Sequence, residues 1–163
     1  MGKPYKLAVT YGRFNLLHKG HQDLFQKMAD LADEMCIGIS VGGGASIPYR
    51  QRADAITKVT EDLGVVHWLF PKEQPFKLLD SIPTKELDPR DIVFCVGEDQ
   101  YSLAQAFNRT CGWATYLNPR QTSSTQIRQL VDNEQWDLLS LHIPASVVKD
   151  VIDNRYLEKQ RDA

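Results

Sequence analysis

No apolar run in this 163-residue chain approaches the ~20 residues needed to cross a bilayer, and its start lacks the apolar core of a signal peptide. A cytoplasmic protein with no membrane partner is expected. Cysteine is scarce: Cys36, Cys95 and Cys111 are odd in number and scattered, which excludes a disulfide frame. Cys36 and Cys95 fall in apolar stretches, where a thiol packs as a small hydrophobe. An excess of one charge is missing too. The net charge of −2 gives no basic field, and neither a basic stripe nor a series of stacking aromatics is present, so nucleic acid is not an expected partner. Neither a G-x-x-x-x-G-K-[ST] phosphate loop nor a G-x-G-x-x-G dinucleotide turn occurs. Repeats, low-complexity tracts and linkers are also absent, and the length suits a single domain over residues 1–163.

What is present is an alternation of strand-like and helix-like stretches. Lys6 to Tyr11, Met35 to Val41, Val65 to Phe70, Asp91 to Val96 and Trp113 to Leu117 read as strands. Three of them are closed by Gly42, Pro71 and Gly97. Helical spacing covers His21 to about Leu31, Arg50 to Leu63 and Tyr101 to Asn108. Pro71 to Arg90, with four prolines, reads as loop with a short helix near Leu78. Helical patterns follow at Ser124 to Val131, Trp136 to His142 and Ala145 to Leu157. Strands apolar throughout are those covered by helices on both faces, and strands alternating with helices form parallel sheets. The expected fold is α/β: a Rossmann-like, doubly wound, five-stranded parallel sheet with C-terminal helices. Ligands of such sheets lie outside the carboxyl ends of the strands.

At the end of the first strand, Gly12 breaks the chain, and His18 and His21 flank Gly20 where a helix should begin. Unpaired N–H groups and the positive end of the helix dipole make such a start an anion site, and Arg13 adds a guanidinium. The pattern suits a polyphosphate. Two imidazoles three residues apart can also share a metal, but no third ligand lies at a convincing spacing, so no protein-held metal is expected. Late in the chain, Ser123 or Ser124 is a good N-cap before Thr125, and Arg128 can grip a second phosphate.

Gly12 to His21 resembles the H-x-G-H signature of the nucleotidyltransferase superfamily, and Thr122 to Arg128 its I-S-S-T-x-I-R motif, with Thr122 in the first place. The two blocks are about 100 residues apart, as first- and last-strand turns of one sheet should be. Val96-Gly97-Glu98-Asp99 resembles the V-G-x-D turn after the fourth strand, and Ile143-Pro144 to Ile152 a P-x-x-V-x-x-x-I helix. Arg13 after the turn glycine looks like the archaeal-type nicotinamide mononucleotide (NMN) adenylyltransferases. Ile47 to Ile56 is similar to their N-P-F-x-x-x-E-R-x-x-M-I segment, two residues shorter before the arginine, Arg52. Their P-V-P-D-I-like segment is replaced by Phe70 to Phe76, and Asn15-Leu16 stands where an acidic residue or Gln and then Pro is usual.

The resemblance implies transfer of AMP from ATP to the phosphate of NMN, giving NAD and pyrophosphate, with Mg²⁺ accompanying the ATP. His18, His21, Arg13 and Arg128 would be catalytic. Gly12, Phe14, Gly20, Gly97, Asp99, Ser123, Ser124 and Thr125 would bind ATP. Arg52 and Trp113 would bind the acceptor, with Trp68 a second candidate for stacking. The alternatives are an adenylyl- or cytidylyltransferase acting on phosphopantetheine or a sugar or polyol phosphate, and a nucleotide-binding sensor without turnover. The resemblance leaves room for a homo-oligomer.

Overall fold

A computed structural model describes residues 2–41, 47–82, 86–119, 124–139, 141 and 147, with 124–126, 128 and 139 as backbone. Five parallel strands, β1 (Tyr5–Gly12), β2 (Ala32–Ser40), β3 (Val66–Lys72), β4 (Ile92–Gly97) and β5 (Ala114–Asn118), form one sheet in the order β3-β2-β1-β4-β5. The helices are α1 (Lys19–Leu31), α2 (Tyr49–Thr60), α3 (Tyr101–Cys111), α4 (Ser124–Asp132) and α5 (Trp136–Leu139). The expected doubly wound sheet is therefore present. Its strand order reverses between β1 and β4, which opens a crevice at their carboxyl ends.

Side-chain alternation along each strand divides the interior into two cores. On one face Ala8, Met35, Ile37, Ile39, Val93 and Cys95 pack with Phe25 and Met28 of α1, Ile56 of α2 and Ile127 of α4. On the other, Leu7, Val9, Cys36, Phe94 and Val96 pack with Phe107 of α3 and Leu78 of a 3₁₀ turn at Pro75–Asp80. Helices α1 and α4 thus share a face although about 100 residues separate their starts. The buried thiols of Cys36 and Cys95 are each pushed up to about 12 by burial, as inert core thiols should be; Lys72 partly opposes the rise at Cys36.

Several boundaries differ from expectation, each for a tertiary reason. Strand β2 begins at Ala32, immediately after α1, because pairing with β1 starts at Tyr5↔Ala32. Strand β3 runs through Pro71 to Lys72 instead of stopping before the proline. An outer strand tolerates proline because one flank has no ladder to supply. β3 is also not apolar throughout: Val66 and Trp68 are more than half exposed, since an edge strand is covered less than its neighbours. Helix α3 extends to Cys111, where Gly112, at φ 74°, caps it in the left-handed region. The fifth strand starts at Ala114 and leaves Trp113 outside it. Helix α5 is described over Trp136–Leu139; the expected end at His142 and the helix expected over Ala145 to Leu157 lie outside the described residues, apart from Val147. Among the described residues, no helix is long and apolar enough to cross a membrane.

Candidate active site

The chain leaves β1 at Gly12 and reaches α1 through a loop anchored from within, Phe14, Leu16 and Leu17 being buried. Phe14 adopts φ 49°, a left-handed conformation that costs a bulky residue free energy. Its ring repays this by packing edge-on against His21 at 5.1 Å and against Phe25 at 5.6 Å. Arg13 and Lys19 are exposed, and the main-chain carbonyl of Arg13 turns inward.

Helix α1 opens with a capping box made of two histidines. His18 is the N-cap: its Nδ1 accepts from the backbone N–H of His21 at 3.4 Å, and the Nδ1 of His21 accepts from the backbone N–H of His18 at 3.2 Å. The rings stack at 3.7 Å, 21° from parallel. Gly20 makes this arrangement possible, because a Cβ there would lie 2.8 Å from Cε1 and 2.9 Å from Nδ1 of His18. The glycine of the H-x-G-H pattern is thus the space into which the first imidazole folds. Burial, and then the charge of His18, hold the His21 pKa well below its usual range.

Arg52 reaches the same end of the sheet from the first turn of α2. It is 5% exposed and so is not a solvated helix-face arginine. Its Nη1 donates to the carbonyls of Arg13, just past β1, and Ser40, the last residue of β2, both at 2.7 Å; its Nε donates to Ile47 at 2.8 Å. The side chain is therefore a brace across two strand ends. Among the described residues it forms no ion pair, and three carbonyl oxygens accept from its guanidinium. Asn15 contributes by accepting from the N–H of Ile47 at 3.0 Å. Arg52, Asn15, Leu16, Gln51 and Lys58 are among the residues lining a cavity of about 220 Å³ beside this loop.

At the neighbouring strand end, Gly97 closes β4 and the carboxylate of Asp99 folds over it, with Oδ1 2.8 Å from where a Cβ would stand. Both Gly97 and Asp99 thus lie at the carboxyl edge, beside β1. Backbone of Ser124, Thr125 and Arg128 forms the first turns of α4, which shares a face of the sheet with α1 through Ile127. Ser123 and the side chains of Ser124, Thr125 and Arg128 lie outside the described residues.

Trp113 does not belong to this site. It is 2% exposed, precedes β5 at the opposite end of the sheet, and stacks on Phe107 at 5.2 Å in the second core. A ring enclosed on that side cannot stack on an acceptor at the carboxyl edge. Trp68 is exposed, but on the outer strand β3, two strands from β1. Conversely, the bracing bonds of Arg52 and the strained Phe14 had no signal in the sequence beyond their neighbourhood to the turn.

A family model described as cytidylyltransferase-like matches residues 9–130. A nicotinamide-nucleotide adenylyltransferase of Methanolobus tindarius is 29% identical over 154 residues, covering 90% of this chain and 87% of that protein. Another of the same name, from Methanosarcina acetivorans, is 27% identical and covers 88% of each. Among solved structures, the Plasmodium falciparum nicotinic acid mononucleotide adenylyltransferase complexed with NaAD superposes with a TM-score of 0.65 at 14% identity, covering 93% of this chain and 97% of that one.

Proposed function

Because the chain belongs to the cytidylyltransferase-like family of nucleotidyltransferases, we propose that it transfers AMP from ATP to the phosphate of nicotinamide mononucleotide, giving NAD and pyrophosphate. The observation that carries the reading is the interlocked His18–His21 pair at the tip of α1, at the carboxyl end of β1 where the strand order reverses. The names of the two archaeal relatives supply the acceptor.

In this reading the acceptor's phosphate oxygen attacks the α-phosphorus in line, and pyrophosphate leaves with the electron pair of the broken bond. No covalent enzyme intermediate forms, so the protein contributes positioning and charge stabilisation. His18 and His21 contact the α- and β-phosphates, assisted by Arg13. Ser123, Ser124, Thr125 and Arg128 hold the β- and γ-phosphates. Backbone at Gly12, Phe14 and Gly20 approaches the nucleotide, and Gly97 and Asp99 contact its nucleoside part. The buried charge of Arg52 draws the acceptor's phosphate towards the ends of β1 and β2. Mg²⁺ prefers oxygen ligands such as those of the triphosphate. In this reading it enters with the triphosphate, as part of the substrate.

The test is pyrophosphate release from MgATP or MgCTP with each acceptor supplied alone. ATP with nicotinamide mononucleotide is expected to give the highest kcat/KM. A higher value with nicotinic acid mononucleotide, phosphopantetheine or a polyol phosphate would replace the acceptor. Tight ATP binding without release from any acceptor would make the protein a nucleotide sensor.

A further inference from the structure

The geometry points to a single protonation state for the paired imidazoles: we propose that His18 and His21 meet the ligand as neutral rings protonated at Nε2, donating hydrogen bonds as uncharged groups and not as imidazolium cations. The proposed function supplies the identity of that ligand, a polyphosphate, while the state of the rings rests on the fold alone.

Each Nδ1 accepts a backbone N–H, that of His21 for His18 and that of His18 for His21. A nitrogen that accepts carries no proton, so the one proton of each neutral ring sits on Nε2. Protonating either ring would put a hydrogen on Nδ1 facing another N–H, which breaks a cap bond and orphans a donor at the helix start. With centroids 3.7 Å apart, two cationic rings would also repel. Neither ring can easily turn over. The space at Gly20 receives the His18 ring, and Phe14 lies edge-on to that of His21. A charge on His18 would in turn oppose one on His21; Arg13 in the loop and Lys19 on α1 are exposed cations that add no negative charge to the turn. Phe14 and Phe25 supply apolar cover.

The usual assumption about histidine at a phosphate site is that acid strengthens binding. Here acid must undo the cap before it can charge a ring. Anion binding is therefore expected to hold level or weaken on acidification.

Two-bond ¹H–¹⁵N correlation spectra of the ¹⁵N-labelled protein read the ring states directly. At neutral pH both rings are expected to show a bare Nδ1 and a protonated Nε2. An Nδ1-protonated tautomer or an imidazolium in either ring would overturn the proposal. Sulfate is a suitable ionic probe, because its charge is constant over this range. From about pH 8 to about pH 6, its affinity is expected to hold level or fall. A rise of about tenfold, as a ring gaining charge would give, would overturn the proposal. Gly20→Ala keeps a good helix former but fills the space under His18, so a mixture of His18 tautomers should appear. If His18 keeps its single state in that variant, the locking role of Gly20 is wrong. None of these readouts requires turnover, so absence of pyrophosphate release would end the functional reading and leave this one standing.

Discussion

Two turns leave the sheet side by side, one after β1 and one after β4, and they are finished in opposite ways. After β1 the helix start satisfies itself: His18 and His21 exchange cap bonds, and three buried apolar side chains hold the loop. After β4, helix α3 has no side-chain cap at Gln100, Glu98 and Asp99 stand exposed, and the buried Oε1 of Gln100 has no partner among the described residues. The same topological position therefore gives one preorganised tip and one incomplete tip. Preorganisation is what the proposed role of the first turn calls for, because donors already in place need not reorganise during reaction.

The comparison is broken most severely at the preorganised side. His18→Asn retains a capping oxygen but loses the ring N–H, so kcat/KM should fall roughly a hundredfold, about 3 kcal/mol, with the unfolding free energy within about 1 kcal/mol of the original. Equal losses of both would reduce His18 to a helix cap. Next is Arg52→Leu, which strands three carbonyls that the guanidinium now serves. Urea unfolding should show a loss of about 2–3 kcal/mol, and an unchanged midpoint would refute the brace. At the incomplete turn the sign reverses: Gln100→Asp removes the orphaned amide and adds a cap, and should raise stability by about 1 kcal/mol. A decrease would mean that Gln100 is already satisfied.

Acidification should produce the gentlest change. The native pKa of His21 lies below its unfolded value of 6.5, so between the two the unfolded chain binds more protons. The His21 contribution is thus complete above pH 6.5 and is lost as pH falls through that value towards the native pKa. Urea midpoints measured downward from pH 7.5 should decline, and His21→Asn should flatten the decline. An equal slope in that variant would place the proton uptake elsewhere.

Much of this was readable from local pattern. Apolar runs ending in glycine gave the central strands, and a glycine between two histidines marked the start of α1 within two residues. The purpose of Gly20 was not readable, because it depends on where the His18 ring folds in space. Pro71 looked like a strand terminator because its missing N–H is costly only in a paired strand, and β3 turned out to be an edge. Trp113 looked like a stacking group because a tryptophan at a strand end is the same in sequence whether that end is the mouth or the floor of the sheet. Arg52 reads as an acceptor ligand; its partners are carbonyls 5, 12 and 39 residues away. No helical periodicity reports such contacts.

The sequence by itself determined the alternation of strands and helices, the anion-seeking helix start and the residues able to cap it, because each depends on neighbours within about one turn. Only the tertiary structure decided which strands are central, which arginine is sealed beneath the mouth and which tryptophan is core. Those outcomes follow from strand order, which joins segments far apart in the chain and settles which surfaces water can still reach.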